Sequence, residues 1–384
     1  MQETELRVRA LFKKMLEDAA EYARTYEYYA EDMKDFAEKV QWEFGPIRGY
    51  QIFKGTEYSF EIGEEIEDPD LVLGCSDLDL ARQFLSNEIE YWPDFVKTDF
   101  QVTAKNAEGV LVKSSVGKAT GAAPAAAPVN DRSLSMRLLR IPAFRPLMER
   151  TADPEHSNDV RIPINESLGT WQNQAMPLAV LEYFINKASH VYLMPNCPCR
   201  LVQQCQHYDH FKFGCMALGK GVLRLDTHGG IGTKEEAMER AREAVEAGLV
   251  PSFGRLKSDT ILYKALPEIG DLFHLCFCCP CCCVEGAFKD APRYLRQYHV
   301  KMEGLSVTVD SELCTGCGTC LDVCIFGGRE IVEGKAVVDR EDEERCRGCG
   351  RCERVCPTGA TSIAMEETSV ERMIARIESH VDVT

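Results

Sequence analysis

"CTGCGTCLDVC", residues 314–324, and "CRGCGRCERVC", residues 346–356, are two copies of one pattern, C-x2-C-x2-C-x3-C, set 32 residues apart. An internal repeat of this kind defines a structural unit before anything else in the chain does. A cubane cluster needs four thiolates at tetrahedral corners. The tight C-x2-C-x2-C loop wraps three of them around one cluster, and the fourth cysteine, at the start of a helix, serves the other cluster of the pair. The spacing assigns Cys314, Cys317, Cys320 and Cys356 to one [4Fe-4S] cluster, and Cys346, Cys349, Cys352 and Cys324 to a second. Zinc also uses C-x2-C pairs, but two matched quartets point to iron–sulfur chemistry.

On these residues, about 304–366, the chain resembles the bacterial dicluster ferredoxins. The resemblance implies a ferredoxin-like βαββαβ fold, with short strands at "LSVTVD" and "KAVVD" and a short helix after each third cysteine. It also implies single-electron transfer at low potential. One position departs from the family. Cys356 is followed by Pro357, but Cys324 is followed by Ile325. Proline fixes the turn after a ligand, so the expectation is a looser turn at Cys324 with the ligand retained.

Upstream lie ten more cysteines in two groups. "NCPCRLVQQCQHYDHFKFGC" holds Cys197, Cys199, Cys205 and Cys215. "FHLCFCCPCCCVEG", 273–286, holds Cys276, Cys278, Cys279, Cys281, Cys282 and Cys283. Between them "TKEEAMERAREAVEAGLV" reads as a helix, with a Thr233/Glu236 capping box and Gly248 as its stop. It packs by Ala237, Ala241, Ala244 and Val245 against a second amphipathic helix, "AVLEYFINKA". "HVYLMPN", 190–196, reads as a strand that delivers Cys197 and Cys199. Pro280 breaks any regular helix in the second group. Neighbouring cysteines of an extended segment point to opposite faces, so this stretch can lie between two metal centres or bridge a large one.

Three arrangements remain open at this level. Four thiols per cubane use eight cysteines and leave two. Five per cluster use all ten, the stoichiometry of the noncubane clusters of heterodisulfide reductases, whose motif spacing this chain lacks. Or Cys197, Cys199, Cys205 and Cys215 form one cluster and the 276–283 group a second. One or two of the ten can also be small buried apolar residues. Over about 155–366 the combination of CPCR, the second cysteine group and the trailing repeat is similar to uncharacterised iron–sulfur proteins of anaerobic bacteria and archaea. That likeness implies oxygen-sensitive redox chemistry and names no substrate.

Other features are weaker. Arg200, next to Cys199, is placed to offset cluster charge, to bind an anionic substrate, or to form an ordinary salt bridge. His207 and His210 form a lone H-x2-H, which reads as a polar loop or as a ligand or proton relay. "HGGIGT", 228–233, precedes a helix N-terminus, the kind of place that suits a phosphate or flavin anion. It lacks a full dinucleotide fingerprint, and no P-loop occurs.

The N-terminal region opens with a charged amphipathic helix over residues 1–30. "YQIFKGTEYSFEIGEE" reads as paired strands, and residues 70–104 as strand, helix, loop and strand. This order, over about 30–113, resembles the sterol-carrier-protein-2 fold. The resemblance implies an SCP2-like α+β domain around an apolar tunnel and a lipid-like ligand, a quinone for example. "GKATGAAPAAAPVND", 117–131, reads as a linker. Cys75 stands apart from the other cysteines and reads as a small buried residue. The expected organisation is an α+β multidomain chain: 1–116, a linker at 117–131, a cysteine-rich domain at 132–300 and the dicluster domain at 301–384.

The chain has 384 residues, 45% hydrophobic and 27% charged, an ordinary globular composition. Its net charge of −17 argues against nucleic-acid binding. No apolar run reaches the ~20 residues of a membrane span, and the N-terminus does not read as a signal peptide. Nineteen cysteines in a chain read as cytoplasmic imply metal or redox chemistry and not a disulfide framework. Two function classes follow. One is an electron-transfer protein or oxidoreductase subunit that works with a redox partner or complex, holding two [4Fe-4S] clusters and one or two further iron–sulfur clusters. The other is a non-enzymatic carrier or scaffold for clusters.

Overall fold

The computed structural model describes residues 2–106, 109–115, 132–153, 157–161, 163, 165, 168, 170–171, 174–225, 229–255, 257, 270–283, 286, 289, 291–296, 299–338 and 345–384. The Ala/Pro/Gly segment 117–131 lies outside them. The chain divides into two compact units, 1–151 with 290–295, and 152–289 with 296–384. Its architecture is mixed α and β over several sheets. No helix among the described residues is long and apolar enough to cross a membrane.

In the first unit six strands form one sheet: β1 Ala37–Phe44, β2 Ile47–Lys54, β3 Glu57–Ile62, β4 Leu71–Cys75, β5 Gln101–Lys105 and β6 Leu111–Ser115. Their order is β3-β2-β1-β4-β5-β6, with β1 and β4 parallel and every other pair antiparallel. The alternation in "YQIFKGTEYSFEI" becomes the β2–β3 hairpin, and the helix Gln2–Thr25 buries Val8, Phe12, Leu16 and Ala19. The rings of Trp42, Phe44, Phe84, Phe95, Phe100 and Phe144 fill the interior. The Trp42 indole N–H is satisfied by Gln51, whose amide donates to the Tyr58 hydroxyl.

In the second unit the strands are β7 Asn158–Arg161, β8 Thr170–Trp171, β9 Gln174–Ala175, β10 Val191–Leu193, β11 Met216–Leu218, β12 Gly230–Gly232, β13 Val250–Arg255, β14 Phe273–Cys278 and β15 His299–Val300. Seven of them form a sheet in the order β12-β10-β11-β14-β13-β7-β15, and β8 and β9 make a small hairpin. Strand alternation gives the large sheet two unlike faces. Val191, Met216, Leu218, Phe273, Leu275 and Phe277 face the helices Met176–Lys187 and Lys234–Glu246, where Phe184 stacks on Phe273 at 4.8 Å. Tyr192, Met194, Cys215 and Ala217 line the other face, with Cys276 against them.

The remaining strands, β16 Leu305–Val309, β17 Arg329–Val332, β18 Lys335–Val338 and β19 Thr361–Met365, alternate with the short helices Thr319–Asp322 and Arg351–Arg354 in the order βαββαβ. β16 pairs with β19 and β17 with β18, both antiparallel. Leu305, Ile363 and the helix Ser369–Glu378 pack into the same apolar core as the large sheet, so the repeat and the cysteine-rich region share one core. Glu378 closes this packing against Lys187 and the Tyr183 hydroxyl.

The helix Lys234–Glu246 carries the capping box expected from the sequence: Thr233 Oγ1 accepts from the Glu236 N–H at 3.1 Å, and Glu236 accepts from the Thr233 N–H at 2.8 Å. Thr233→Ala is expected to remove about 1 kcal/mol from the stability of this unit, with Thr233→Ser close to the parent. Urea denaturation followed by circular dichroism measures both.

Candidate metal centres

The repeats build two pockets. Cys314, Cys317, Cys320 and Cys356 line one of about 300 Å³, closed by Pro357, Thr358 and Ala336. Cys324, Cys346, Cys349 and Cys352 line another of about 340 Å³, with Arg329, Gly350 and Arg351. Each pocket thus gathers three cysteines of one copy and the fourth of the other. The loops can wrap so tightly because glycine sits where φ is positive: 68° at Gly316 and 81° at Gly318, matched by 63° at Gly348 and 74° at Gly350. The turn after Cys324 is no looser than its counterpart. Gly327 N–H donates to the Cys324 carbonyl at 3.2 Å, and Gly359 N–H to that of Cys356 at 3.3 Å. That shared hydrogen bond closes both turns, with or without the proline.

Donors surround these sulfurs. Ala336 N–H reaches Cys314 Sγ at 3.3 Å, and the Thr319 hydroxyl lies 3.3 Å from Cys317 Sγ. The buried guanidinium of Arg329 donates to Cys352 Sγ at 2.9 Å. Burial pushes the Cys356 thiol up, but the N–H groups of Thr361, Thr358 and Ala360 and the Thr358 hydroxyl outweigh it and bring the thiol down to about 7.

Eight of the ten upstream thiols fall into two groups that cut across the two sequence segments. In the first, Cys215 and Cys276 lie 3.3 Å apart, because β11 pairs beside β14 with Met216 opposite Leu275. Cys197, the N-cap of the helix Pro198–Val202, follows β10 and joins them with Cys199. Hydrogen bonds from Cys199 and Cys215 hold the Cys197 thiol far below the ordinary range, against burial and with help from Arg200. His274 belongs here too: its ring is 3.7 Å from Cys276 Sγ, and Cys215, His274 and Cys276 form one compact donor set. The Cys276 thiol is drawn down to about 6, first by the hydrogen bond with Cys215, with burial opposing and His274 adding.

The second group is Cys205, Cys279, Cys281 and Cys282. Cys205 therefore leaves its sequence neighbours Cys197, Cys199 and Cys215 and joins the later segment, 3.7 Å from Cys281. Cys278 and Cys283 stand in neither compact set. The strand that carries Cys276 ends at Cys278, and Cys279, Cys281 and Cys282 of the second group follow it around the turn at Pro280.

Arg200 is 1% exposed and donates to the carbonyls of Phe213 at 2.6 Å and Phe277 at 3.3 Å. Its Nε and Nη1 have no hydrogen-bond partner. Burial lowers its pKa, but Cys197, Cys279 and Cys215, members of both groups, raise it on balance. It is no surface salt bridge. Arg351 is built alike: buried, bonded to the Cys278 carbonyl at 2.6 Å, with Nε and Nη1 unpartnered. Arg329 Nη1 is unpartnered as well. Buried cations without carboxylates are costly, and the negative charge that suits them is thiolate bound to metal. The two repeat quartets and the orphaned N–H groups fit iron–sulfur clusters.

Motif spacing does not single out His274, Arg329 or Arg351. The H-x-C alternation of "FHLC" places His274 on the Cys276 face once the strand is recognised, whereas nothing local marks Arg329. His207 and His210 lie in the loop between the two groups, and neither belongs to a compact set with the cysteines. At "HGGIGT" the helix terminus is already occupied by its own capping box, and the Glu236 carboxylate stands where an anion would; His228 lies outside the described residues.

Comparison with known proteins agrees with the repeat pockets. Residues 313–360 match the family model of the 4Fe-4S dicluster domain. The chain is similar to an iron-sulfur subunit of the CoB–CoM heterodisulfide reductase of Methanopyrus kandleri, 40% identical over 60 residues, 15% of this chain and 9% of that one. It is also similar to Ferredoxin-2 of Desulfomicrobium norvegicum, 56% identical over 34 residues, 9% of this chain and 58% of that one. The chain thus spans less than two thirds of either relative. No solved structure matches it. The C-terminal region is an iron–sulfur, ferredoxin-type electron-transfer domain. The likeness of the first unit to the sterol-carrier-protein-2 fold finds no support in these matches, nor does an apolar ligand, a quinone or a flavin. A small pocket in that unit mixes Tyr22, Tyr29 and Met33 with Asp32, Arg140 and Arg145.

Cys75 is 5% exposed and far from this chemistry in sequence. Burial, with Asp77 nearby, pushes its thiol up to about 12. It is expected to resist iodoacetamide at pH 8 in the native chain and to react once the chain is unfolded, as peptide mass spectrometry reads.

Proposed function

We propose that this chain is an electron-transfer component of a redox complex. Two [4Fe-4S] clusters, one on Cys314, Cys317, Cys320 and Cys356 and one on Cys346, Cys349, Cys352 and Cys324, exchange electrons with a further metal centre in the cysteine-rich region. That centre sits on Cys197, Cys199, Cys215 and Cys276, beside His274. The observation that carries this reading is Arg351. It lies between Cys349 and Cys352 and donates to the carbonyl of Cys278 at 2.6 Å, so one residue spans from the second pocket to the upstream thiols. Bound there, iron–sulfur clusters supply one-electron transfer; the protein sets potential and access. Similarity to a protein named as part of a heterodisulfide reductase supports a partner of the redox-complex kind.

Iron and sulfide analysis of anaerobically purified protein tests this. The two repeat sites alone contribute about eight irons and about eight sulfides, and the further centre adds to both. Cys317→Ala and Cys349→Ala are each expected to remove or alter one low-temperature EPR signal of the reduced protein; unchanged spectra in both variants overturn the ligand assignment.

Arg329→Gln removes a charge and a hydrogen bond from Cys352 Sγ. Both favour the reduced, more negative cluster, so its midpoint potential is expected to fall, and by more than that of the other cluster, whose Cys320 feels the Arg329 charge without its hydrogen bond. A redox titration followed by EPR separates the two.

A further inference from the structure

The thiols of this unit are packed on two scales. Among the described residues, the Sγ atoms of Cys205, Cys279, Cys281 and Cys282 all lie within 4.8 Å of one another, whereas the other compact set, Cys215, His274 and Cys276, brings together two thiols and no more. No three of the eight repeat cysteines draw together so closely. They line the two repeat pockets instead. The difference has a direct chemical meaning. A cubane binds each of its four thiolates through a different iron, so the sulfurs stand apart by the width of the inorganic core. One tetrahedral ion with bonds of about 2.3 Å holds its four sulfurs on edges of about 3.8 Å. Cys205 and Cys281 are 3.7 Å apart.

We propose that Cys205, Cys279, Cys281 and Cys282 bind a single tetrahedral metal ion, zinc or iron, and not a cluster. The local backbone is arranged for it. Cys279 and Cys282 form a C-x2-C pair around Pro280, and the Cys282 N–H donates to Cys279 Sγ at 3.3 Å. Such a knuckle presents two sulfurs to one ion. Cys205 and Cys281 supply the other two from separate segments. Cys279 and Cys282 are buried, while Cys281 is exposed, so an ion can enter from solvent. Four thiolates on a divalent ion leave a double negative charge, and the Arg200 guanidinium, with two unpartnered nitrogens, lies close enough to Cys279 to share it. The site ties the helix–loop that follows Cys199 to the end of β14. It uses none of the repeat cysteines, so it stands or falls apart from the electron-transfer reading.

The test uses the full chain, purified anaerobically, with Cys281→Ser and Cys205→Ser beside it. Zinc, iron and acid-labile sulfide are measured in all three. Each variant is expected to lose about one metal atom per chain with sulfide unchanged and the EPR signals of the repeat clusters intact. Loss of zinc and loss of iron both support the site and identify its ion. Loss of about four irons together with about four sulfides overturns it, and so does metal content that does not change. A variant without repeat EPR signals has misfolded, and the unmodified chain then decides. About one zinc, or about one iron in excess of sulfide, supports the site; neither overturns it.

Discussion

The alternation of one strand organises the second unit. Along "FHLCFC", Phe273, Leu275 and Phe277 point into the core shared with two helices, which leaves His274 and Cys276 on the opposite face. Burying three large apolar side chains contributes several kcal/mol, and that energy fixes the register of β14. A slip by one residue would turn His274 and Cys276 into the apolar core and the rings toward the face of Cys215. The cysteines therefore need no stabilising interaction of their own to be placed. The core on one face positions the chemistry on the other.

Charge is the second constraint. Metal-bound thiolates concentrate negative charge in a poorly hydrated interior, and this chain is acidic overall, at −17. It answers with Arg200, Arg329 and Arg351, each buried and each keeping N–H groups without protein acceptors. A carboxylate partner would satisfy those guanidinium groups but cancel their effect on the sulfurs. Bonding them to carbonyls, as with Phe213 and Cys278, holds the geometry and leaves the positive charge uncompensated.

The sequence was legible where ligand sets are local. Spacing within each repeat copy predicts the quartets that line the two pockets, including the exchange of Cys324 and Cys356, because an eleven-residue loop has few ways to wrap. The capping box at Thr233 and the paired strands read over 50–65, which form the hairpin of β2 and β3, were legible for the same reason. The division of the upstream thiols was not. Cys276 joins Cys215 through the pairing of β11 with β14, and Cys205 joins Cys281 across 76 residues. Strand pairing at that separation leaves no mark in spacing. Nor does composition reveal that the repeat and the cysteine-rich region share a core, since Leu305 and Ile363 look like any other strand residues.

The two copies of the repeat are alike in sequence but differently placed, and their glycines record the difference. Gly318 and Gly350 occupy the same position, with φ of 81° and 74°. A Cβ added to Gly318 would meet nothing within 4 Å, so glycine is needed there for backbone conformation alone. At Gly350 it would come to 1.7 Å from Asn165 Oδ1, because the Asn165 amide donates to the Gly350 carbonyl at 3.0 Å. The second copy is thus docked on the cysteine-rich region through Asn165 and Arg351, whereas the first copy leaves Cys317 exposed. In the proposed electron path the asymmetry distinguishes the two ends: the cluster of Cys314, Cys317, Cys320 and Cys356 is the one open to a partner, and the docked cluster is the one beside the upstream thiols.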